Sequence, residues 1–241
     1  MLTSSNISMV HIGVDGCPEG WFAVRRDGDS TTAALYSSSE DLWKKNRDAE
    51  QILVDIPIGL PENSRRKCDL EARDALGCRR VSVFFTPCRG VLETTDKGEM
   101  NQINKDTTGR GVQPPALSLM KKIREMDTLL DEFSDAIDII EESHPELCFY
   151  RFNDDTPMAY SKKSERGHRR RLRLLSNHIE NADELFVQFS EAYAGEGVND
   201  DDIIDAMVLA AAAAGETATL PAEPEVDAEG RPMQMVYPVL G

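Results

Sequence analysis

The first 56 residues carry a succession of short apolar segments that few folds accommodate. Residues 9–14 (MVHIGV) predict a buried strand, and the turn-rich DGCPEG after them leads into a second strand, WFAVRR. A third strand is predicted at residues 32–36, a short helix at 39–47 and a fourth strand at 51–56. The order β-β-β-α-β predicts an α/β domain that begins with a hairpin closed by a wide turn.

Most of the remaining sequence predicts helices around that sheet. An amphipathic helix is expected from Pro114 to Phe133, with its core face formed by Leu119, Ile123, Met126 and Leu130. The other predicted helices cover residues 62–77, 162–176, 182–193 and 199–214, and the segment AIDIIEE (136–142) predicts a strand. We expect one domain over residues 1–241, with a loop-rich insertion at 78–113 that is mobile from 93 onward. Residues 216–231 are expected to be a linker to a short terminal strand, MQMVYPV.

The composition limits the partners that the surface can attract. With 43 acidic and 27 basic residues, the 241-residue chain has a formal charge of −16. Such a surface repels polyanions, so nucleic acid would have to bind at a local basic patch. The acidic balance is typical of a protein from a halophilic cytosol, where concentrated salt screens this repulsion over roughly 3 Å.

Cysteine usage and hydropathy both indicate a cytoplasmic protein. The five cysteines are odd in number and lack C-x-x-C spacing, which favours reduced thiols over a disulfide framework or a zinc site. No segment approaches the ~20 apolar residues of a membrane span, and residues 1–10 lack the pattern of a signal peptide. We therefore expect no membrane partner.

Two acids directly follow or end apolar strands, where a charge is costly unless water or a cation compensates it. Asp15 follows HIGV, and Asp55 lies within ILVDIPIG. Neighbouring strands of an open sheet bring their ends together, and clustered carboxylates repel one another unless a divalent ion neutralises them. The alternative is that each acid forms a turn or caps a helix, which suits Asp55 better than Asp15.

The last predicted helix adds further carboxylates. It begins N-D-D-D-I-I-D-A, so Asn199 can cap it and the first three acids can interact with the helix dipole. Asp205 lies past that first turn, on the same side of the helix as Asp202. If the apolar residues beside them pack on the sheet, Asp202 and Asp205 lie at its edge, as candidate catalytic residues.

The motif E-S-H-P-E after the AIDII strand places Glu142 at another strand end, where it is a further candidate catalytic carboxylate. His144, before a proline, is more typical of an ordered loop residue than of a metal ligand.

Positive charge is concentrated in the segment SKKSERGHRRRLR. Its leucines show that this predicted helix also packs against the protein, and a basic run is usually a solvated helix face. The same concentration is what contact with a phosphate backbone requires. The candidate nucleic-acid-binding residues are Lys162, Lys163, Arg169 and Arg170.

Seven short motifs occur in a fixed order over residues 11–214. They are G-V-D-G-C-x-x-G-W, V-D-I-P-I-G-L-P, R-x-C-D-x-x-A-R-x-x-L-G, F-x-x-P-x-R-x-V-L, E-S-H-P-E, S-K-K-x-x-x-G-x-x-R and D-D-I-I-D-A. In this series the chain resembles the predicted RNase H-like nucleases of the family known as domain of unknown function 429.

The resemblance implies a mixed sheet, with its first three strands antiparallel and the following strands parallel, flanked by helices. It implies that Asp15, Asp55 and Asp205 bind metal, with Asp202 beside them and Glu142 as a further candidate. The implied reaction is hydrolysis of a phosphodiester with two Mg²⁺ or Mn²⁺ ions.

Two other functions fit the same residues. The scaffold can bind nucleic acid or a nucleotide without cutting it, with the basic helix supplying the affinity. It can also carry another phosphoryl-transfer reaction on a small phosphorylated molecule, because a fold does not fix a function.

Overall fold

The structure is a computed structural model that describes residues 9–240. Residues 1–8, which belong to the predicted domain and to the segment searched for a signal peptide, lie outside the described part, as does residue 241. No helix within the described part is long and apolar enough to cross a membrane.

The core of the fold is a five-stranded mixed sheet. Its strands are β1 (Val10–Cys17), β2 (Gly20–Asp27), β3 (Ser30–Tyr36), β4 (Ala49–Val54) and β5 (Ile140–Glu142), in the order β3-β2-β1-β4-β5. The first three strands pair antiparallel, whereas β4 is parallel to both β1 and β5. The predicted α/β fold with a mixed sheet flanked by helices is confirmed, and the arrangement is compatible with an RNase H-like fold.

Eight α-helices surround the sheet in the described residues: α1 (Ser39–Lys45), α2 (Lys67–Leu76), α3 (Lys97–Thr108), α4 (Pro114–Glu132), α5 (Pro145–Phe152), α6 (Glu165–Leu175), α7 (Ala182–Ala192) and α8 (Asp200–Ala213). Strands β6 (Thr217–Leu220) and β7 (Met235–Pro238) form a separate antiparallel pair. β7 lies within the predicted terminal strand.

Helices α4 and α8 pack on opposite faces of the sheet. The residues predicted to face the core from α4 do so, since Ile123, Met126 and Leu130 are buried and Leu119 is partly buried. Residues 203–213 of α8 are all buried, because this helix lies between the sheet and the outer helices α5, α6 and α7.

Gly13 allows α8 to approach β1 very closely. A Cβ atom at this position would lie 2.1 Å from the backbone nitrogen of Ala210 and 2.2 Å from the backbone oxygen of Ala206. The absence of a side chain therefore sets the distance between the strand and the helix.

Three sequence predictions were wrong in part. The predicted mobile loop at 93–113 contains α3, which Asp96 caps at its N-terminus and Gly109 ends in a left-handed conformation with φ 75°. The first four residues of the predicted linker at 216–231 are followed by little loop, because Thr217–Leu220 forms β6. Of the predicted strand AIDIIEE only Ile140–Glu142 is extended, since Ser134–Ala136 forms a 3₁₀ turn.

Candidate functional site

Asp15 and Asp55 lie side by side where two parallel strands end. Val14 of β1 pairs with Val54 of β4, and the backbone nitrogen of Asp55 donates to the carbonyl oxygen of Val14 at 3.0 Å. Residues in register on neighbouring strands point to the same face of a sheet. Both acids therefore face α8, on the same side as Gly13.

Helix α8 brings Asp205 to the same place. Its carboxylate is 2 % exposed, and Oδ2 accepts a hydrogen bond of 2.6 Å from Nζ of Lys162. Nζ of Lys162 also lies 3.7 Å from Oδ2 of Asp201. The amphipathic packing of α8 thus delivers one acid from the end of the sequence to two acids from its beginning.

The carboxylate of Asp15 lacks a partner. Its residue is only 7 % exposed, and within residues 9–240 its side chain makes no hydrogen bond or ion pair. The same holds for the side chain of Asp55, which is half-buried and lines the adjoining cavity. A buried carboxylate without a hydrogen bond is costly, so this pair of acids calls for a cation or water.

The acids of this cluster perturb one another electrostatically. Burial, and then the charges of Asp55 and Asp205, hold the pKa of Asp15 well above its ordinary range. Burial raises the pKa of Asp205 to about 6, although Lys162 opposes the increase. Burial alone would lower the pKa of Lys162, but Asp205 and Asp15 raise it above its ordinary value. One ammonium group therefore serves several carboxylates.

Asp202 lies beside the cluster but has a structural role as well. Its Oδ2 accepts from the backbone nitrogen of Asn199 at 2.8 Å and from the side-chain amide of Asn199 at 2.9 Å, which completes a capping box. The predicted cap at Asn199 is confirmed. The charge of Asp202 still contributes to the raised pKa of Asp15.

Glu142 is near these acids in the sheet but is held on the opposite face. It pairs in register with Val54, one residue before Asp55, so alternation turns its side chain away from α8. Its two carboxylate oxygens accept from Nη1 and Nη2 of Arg66 at 2.6 and 2.7 Å, and Oε2 also accepts from the backbone nitrogen of Ile58. The structure therefore does not bring Glu142 into the Asp15 cluster.

His144 caps helix α5 in the described structure. Its Nδ1 accepts from the backbone nitrogen of Glu146 at 3.2 Å, and its Nε2 lies 3.4 Å from the carbonyl oxygen of Ser82. The side chain of Glu146 accepts from Arg171 at 2.7 Å, and both residues are buried. The interpretation of His144 as an ordered loop residue agrees with this geometry.

The basic segment divides into two parts. Lys162 lies inside the acid cluster, which residue type and spacing alone did not reveal. Lys163, Arg169 and Arg170 are exposed; Arg169 pairs with Glu165 within α6, and Arg170 donates to Asn153 on its surface. Only this exposed part is free to meet a large polyanion.

A cavity of about 250 Å³ opens beside the acids. Asp55, Asp205 and Lys162 line one end of it, and apolar groups that include Phe84, Pro115 and Leu119 line other parts. Arg66, Glu142, His144 and Glu146 also reach its wall. The cavity can take a small group next to the carboxylates, with charged atoms at one end only.

The donor chemistry of the cluster suits a hard divalent cation, because carboxylate oxygens are the ligands that Mg²⁺ and Mn²⁺ prefer. In residues 9–240, however, no three Asp, Glu, His or Cys side chains are arranged to hold one ion together. The ion pair between Lys162 and Asp205 accounts for part of this, because the ammonium group takes the place of a cation at Asp205. Asp15, Asp55 and Asp205 therefore fit a metal once Lys162 releases Asp205.

Fold and site together define an α/β protein with a cluster of buried acids where its central parallel strands end. The chain belongs to the family described as "Protein of unknown function (DUF429)", whose family model matches residues 13–226. The matched range includes all three clustered acids and both buried arginines named above. Neither the curated proteins nor the solved structures contain a match.

Proposed function

We propose that this chain is an RNase H-like, metal-dependent nuclease that hydrolyses phosphodiester bonds of nucleic acid. The observation that carries the proposal is the unpartnered pair Asp15 and Asp55 beside Asp205, with Asp15 only 7 % exposed. Carboxylates are retained in such a place at a cost to stability, which a cation at the site would remove. A cytoplasmic location fits the five free cysteines.

Asp15, Asp55 and Asp205 would hold Mg²⁺ or Mn²⁺. When bound, such ions lower the pKa of a coordinated water and stabilise the leaving oxygen. The chain's own contribution is to exclude bulk water around Asp15 and to fix the three carboxylates on rigid elements, two strands and one helix. Lys162 keeps Asp205 ionised in the free protein and is released to contact a phosphate when the cluster is neutralised.

The exposed residues Lys163, Arg169 and Arg170 would contact the phosphate backbone. They give the acidic protein a local region of opposite charge next to Lys162. Each phosphate contact adds to the salt dependence of binding, so affinity for nucleic acid should fall steeply as salt increases.

The test is cleavage of single- and double-stranded DNA, RNA and an RNA/DNA hybrid with Mg²⁺, Mn²⁺ or a chelator. Loss of a second-shell residue at a metal site typically costs 10–100-fold, so loss of a ligand in Asp15→Asn or Asp205→Asn should reduce kcat by more than about 100-fold. Asp200→Asn is the matched control, because Asp200 lies on the same helix but is exposed and bonded to Ser190. Mn²⁺ binding, followed by titration calorimetry, is a readout that does not depend on activity. Equal cleavage by wild type and Asp15→Asn would refute the proposal.

The cavity favours a second candidate, a phosphoryl-transfer enzyme that acts on a small phosphorylated molecule. A space of about 250 Å³ with apolar walls suits a small group better than a duplex. Metal-dependent release of phosphate from nucleotides or sugar phosphates, without cleavage of polymers, would favour this candidate. Binding of nucleic acid without metal dependence or turnover would favour a pure binding protein.

A further inference from the structure

A second cavity, of about 260 Å³, lies outside the acid cluster. Its wall is built from the segment before α2, from residues 85 and 86, and from α3 with the turn that follows it. The lining groups include Asn63, Ser64, Asn104, Thr108 and Gln113. These side chains are polar and uncharged, so the charge of the cavity comes from its arginines.

Two arginines line this cavity, and no acid does. Arg65 and Arg110 both reach it, and in the described part of the chain neither side chain makes an ion pair or a hydrogen bond. The nearest acid that acts on Arg65 is Asp69, whose oxygens accept from Arg66 and from the backbone nitrogen of Thr86. In a chain with 43 acids and 27 bases, two unpaired guanidinium groups in one cavity are unusual.

The protein holds these positive charges close together. The guanidinium of Arg65 lies 3.6 Å from the centre of the Phe85 ring, and that of Arg73 lies 4.5 Å from the same ring. Burial, followed by the charges of Arg110 and Arg73, lowers the pKa of Arg65. Like charges at this separation repel, so the free protein stores an interaction that a bound anion would relieve.

The surrounding backbone is fixed rather than loose. The side-chain oxygen of Gln113 accepts from the backbone nitrogen of Phe85 at 2.7 Å, and the amide of Asn104 donates to the carbonyl oxygen of Arg110 at 2.8 Å. Arg110 is thereby placed opposite the segment that carries Arg65. A planar guanidinium group offers parallel donors that match the oxygens of a phosphate.

We propose that Arg65 and Arg110 form a phosphate-binding pocket. Phe85 supports Arg65 from below, and Asn63, Ser64 and Thr108 supply neutral donors. Thr86 lines both this pocket and the cavity that contains Asp55 and Asp205, so the two spaces share a wall. The pocket would hold a phosphate of the molecule whose reacting group lies at the acid cluster, and this last step alone rests on the proposed function.

The test measures binding of inorganic phosphate and pyrophosphate to the full chain by titration calorimetry at low salt without metal. We expect Arg65→Gln and Arg110→Gln each to weaken binding at least 10-fold, and the double variant to abolish it. Arg173→Gln is the matched control, since it removes an exposed arginine that has no partner in the described structure. Unchanged affinity in both pocket variants, or an equal loss in the control, would overturn the proposal.

Two further measurements separate this pocket from the proposed nuclease site. Asp15→Asn should bind phosphate as well as wild type does, so that failure of the nuclease proposal would leave the pocket intact. Arg65→Lys, which keeps the charge but not the paired donors, should bind with intermediate affinity; affinity equal to that of wild type would contradict recognition by the guanidinium. Competition by a nucleoside 5′-monophosphate or by a six-nucleotide single strand identifies which of these carries the phosphate.

Discussion

Substitution of Gly13 by alanine tests whether the contact between β1 and α8 positions the acids. The added Cβ would lie 2.1 and 2.2 Å from backbone atoms of Ala210 and Ala206, whereas ordinary contact begins at 3.4 Å. Backbone atoms on both sides cannot rotate away as a side chain can. The helix would therefore have to move from the strand by roughly 1.2–1.3 Å.

The energetic cost follows from that displacement. Overpacking a core typically costs about 1–3 kcal/mol, and a gap of 0.5–1 Å forfeits about a quarter to a half of each dispersion contact. Because residues 203–213 of α8 are all buried, many contacts would loosen at once, and we expect about 3–4 kcal/mol. For a chain of this length that corresponds to a fall in Tm on the order of 10 °C.

Urea unfolding and thermal melting, followed by circular dichroism, measure this change. Gly215→Ala is the matched control, because a Cβ at Gly215 would meet only the oxygen of Ala212 at 3.7 Å. Since α8 carries Asp205 and β1 carries Asp15, the Gly13 variant should also bind Mn²⁺ more weakly if it folds. A variant within 1 kcal/mol of wild type would refute the argument that Gly13 sets the spacing.

Three further substitutions test other parts of the structure. Arg66→Gln leaves the buried carboxylate of Glu142 unpaired and should lower the free energy of unfolding by about 3–5 kcal/mol; a loss below 1 kcal/mol in urea unfolding would contradict this. Asp96→Ala removes the N-cap of α3 and should cost about 1 kcal/mol, with faster amide exchange in that helix only; unchanged exchange would contradict a capping role. Burial and then Arg26 lower the pKa of His178, so the unfolded chain binds its proton more readily; stability is full above about pH 6.5 and falls as pH decreases below it. His178→Phe keeps the stacking on Phe152 and should lose less stability than wild type between pH 7.5 and 5.5, and an equal loss would exclude His178 as a source.

The sheet was predictable because its signals are local. Alternation and turn residues mark β1 and β2 within a few positions, and the helix from Pro114 shows its apolar face at regular spacing. The acids at strand ends were found for the same reason, since Asp15 and Asp55 each interrupt an apolar segment. What these signals could not supply was the face to which each side chain points.

The orientation of Glu142 depends on register, which is a property of two strands rather than one. Its pairing with Val54 places it one residue out of step with Asp55. A strand-end acid therefore lies on the opposite face, where Arg66 binds it. The sequence carries Arg66 in a recognisable motif, but nothing local links that motif to a residue 76 positions further on.

Helix α3 was missed although its capping signal is present. Asp96 and Glu99 have the spacing of an N-terminal capping box, and Asp96 accepts from the backbone nitrogen of Glu99 at 2.8 Å. The polar composition of the segment favoured a loop, since only Met100 and Asn104 of this helix are buried. Lys162 was placed with the nucleic-acid contacts for a similar reason, because a basic run does not reveal which of its members turns inward.

The positions of the three clustered acids along the chain also bear on its synthesis. Asp15 and Asp55 leave the ribosome early, whereas Asp205 follows Asp15 by 190 residues. A nascent chain that lacks α8 has neither the third carboxylate nor the helix that covers Gly13. If the cluster is the centre of a nuclease, an incomplete chain beside messenger and ribosomal RNA is inactive by construction, and activity begins only after translation has passed α8.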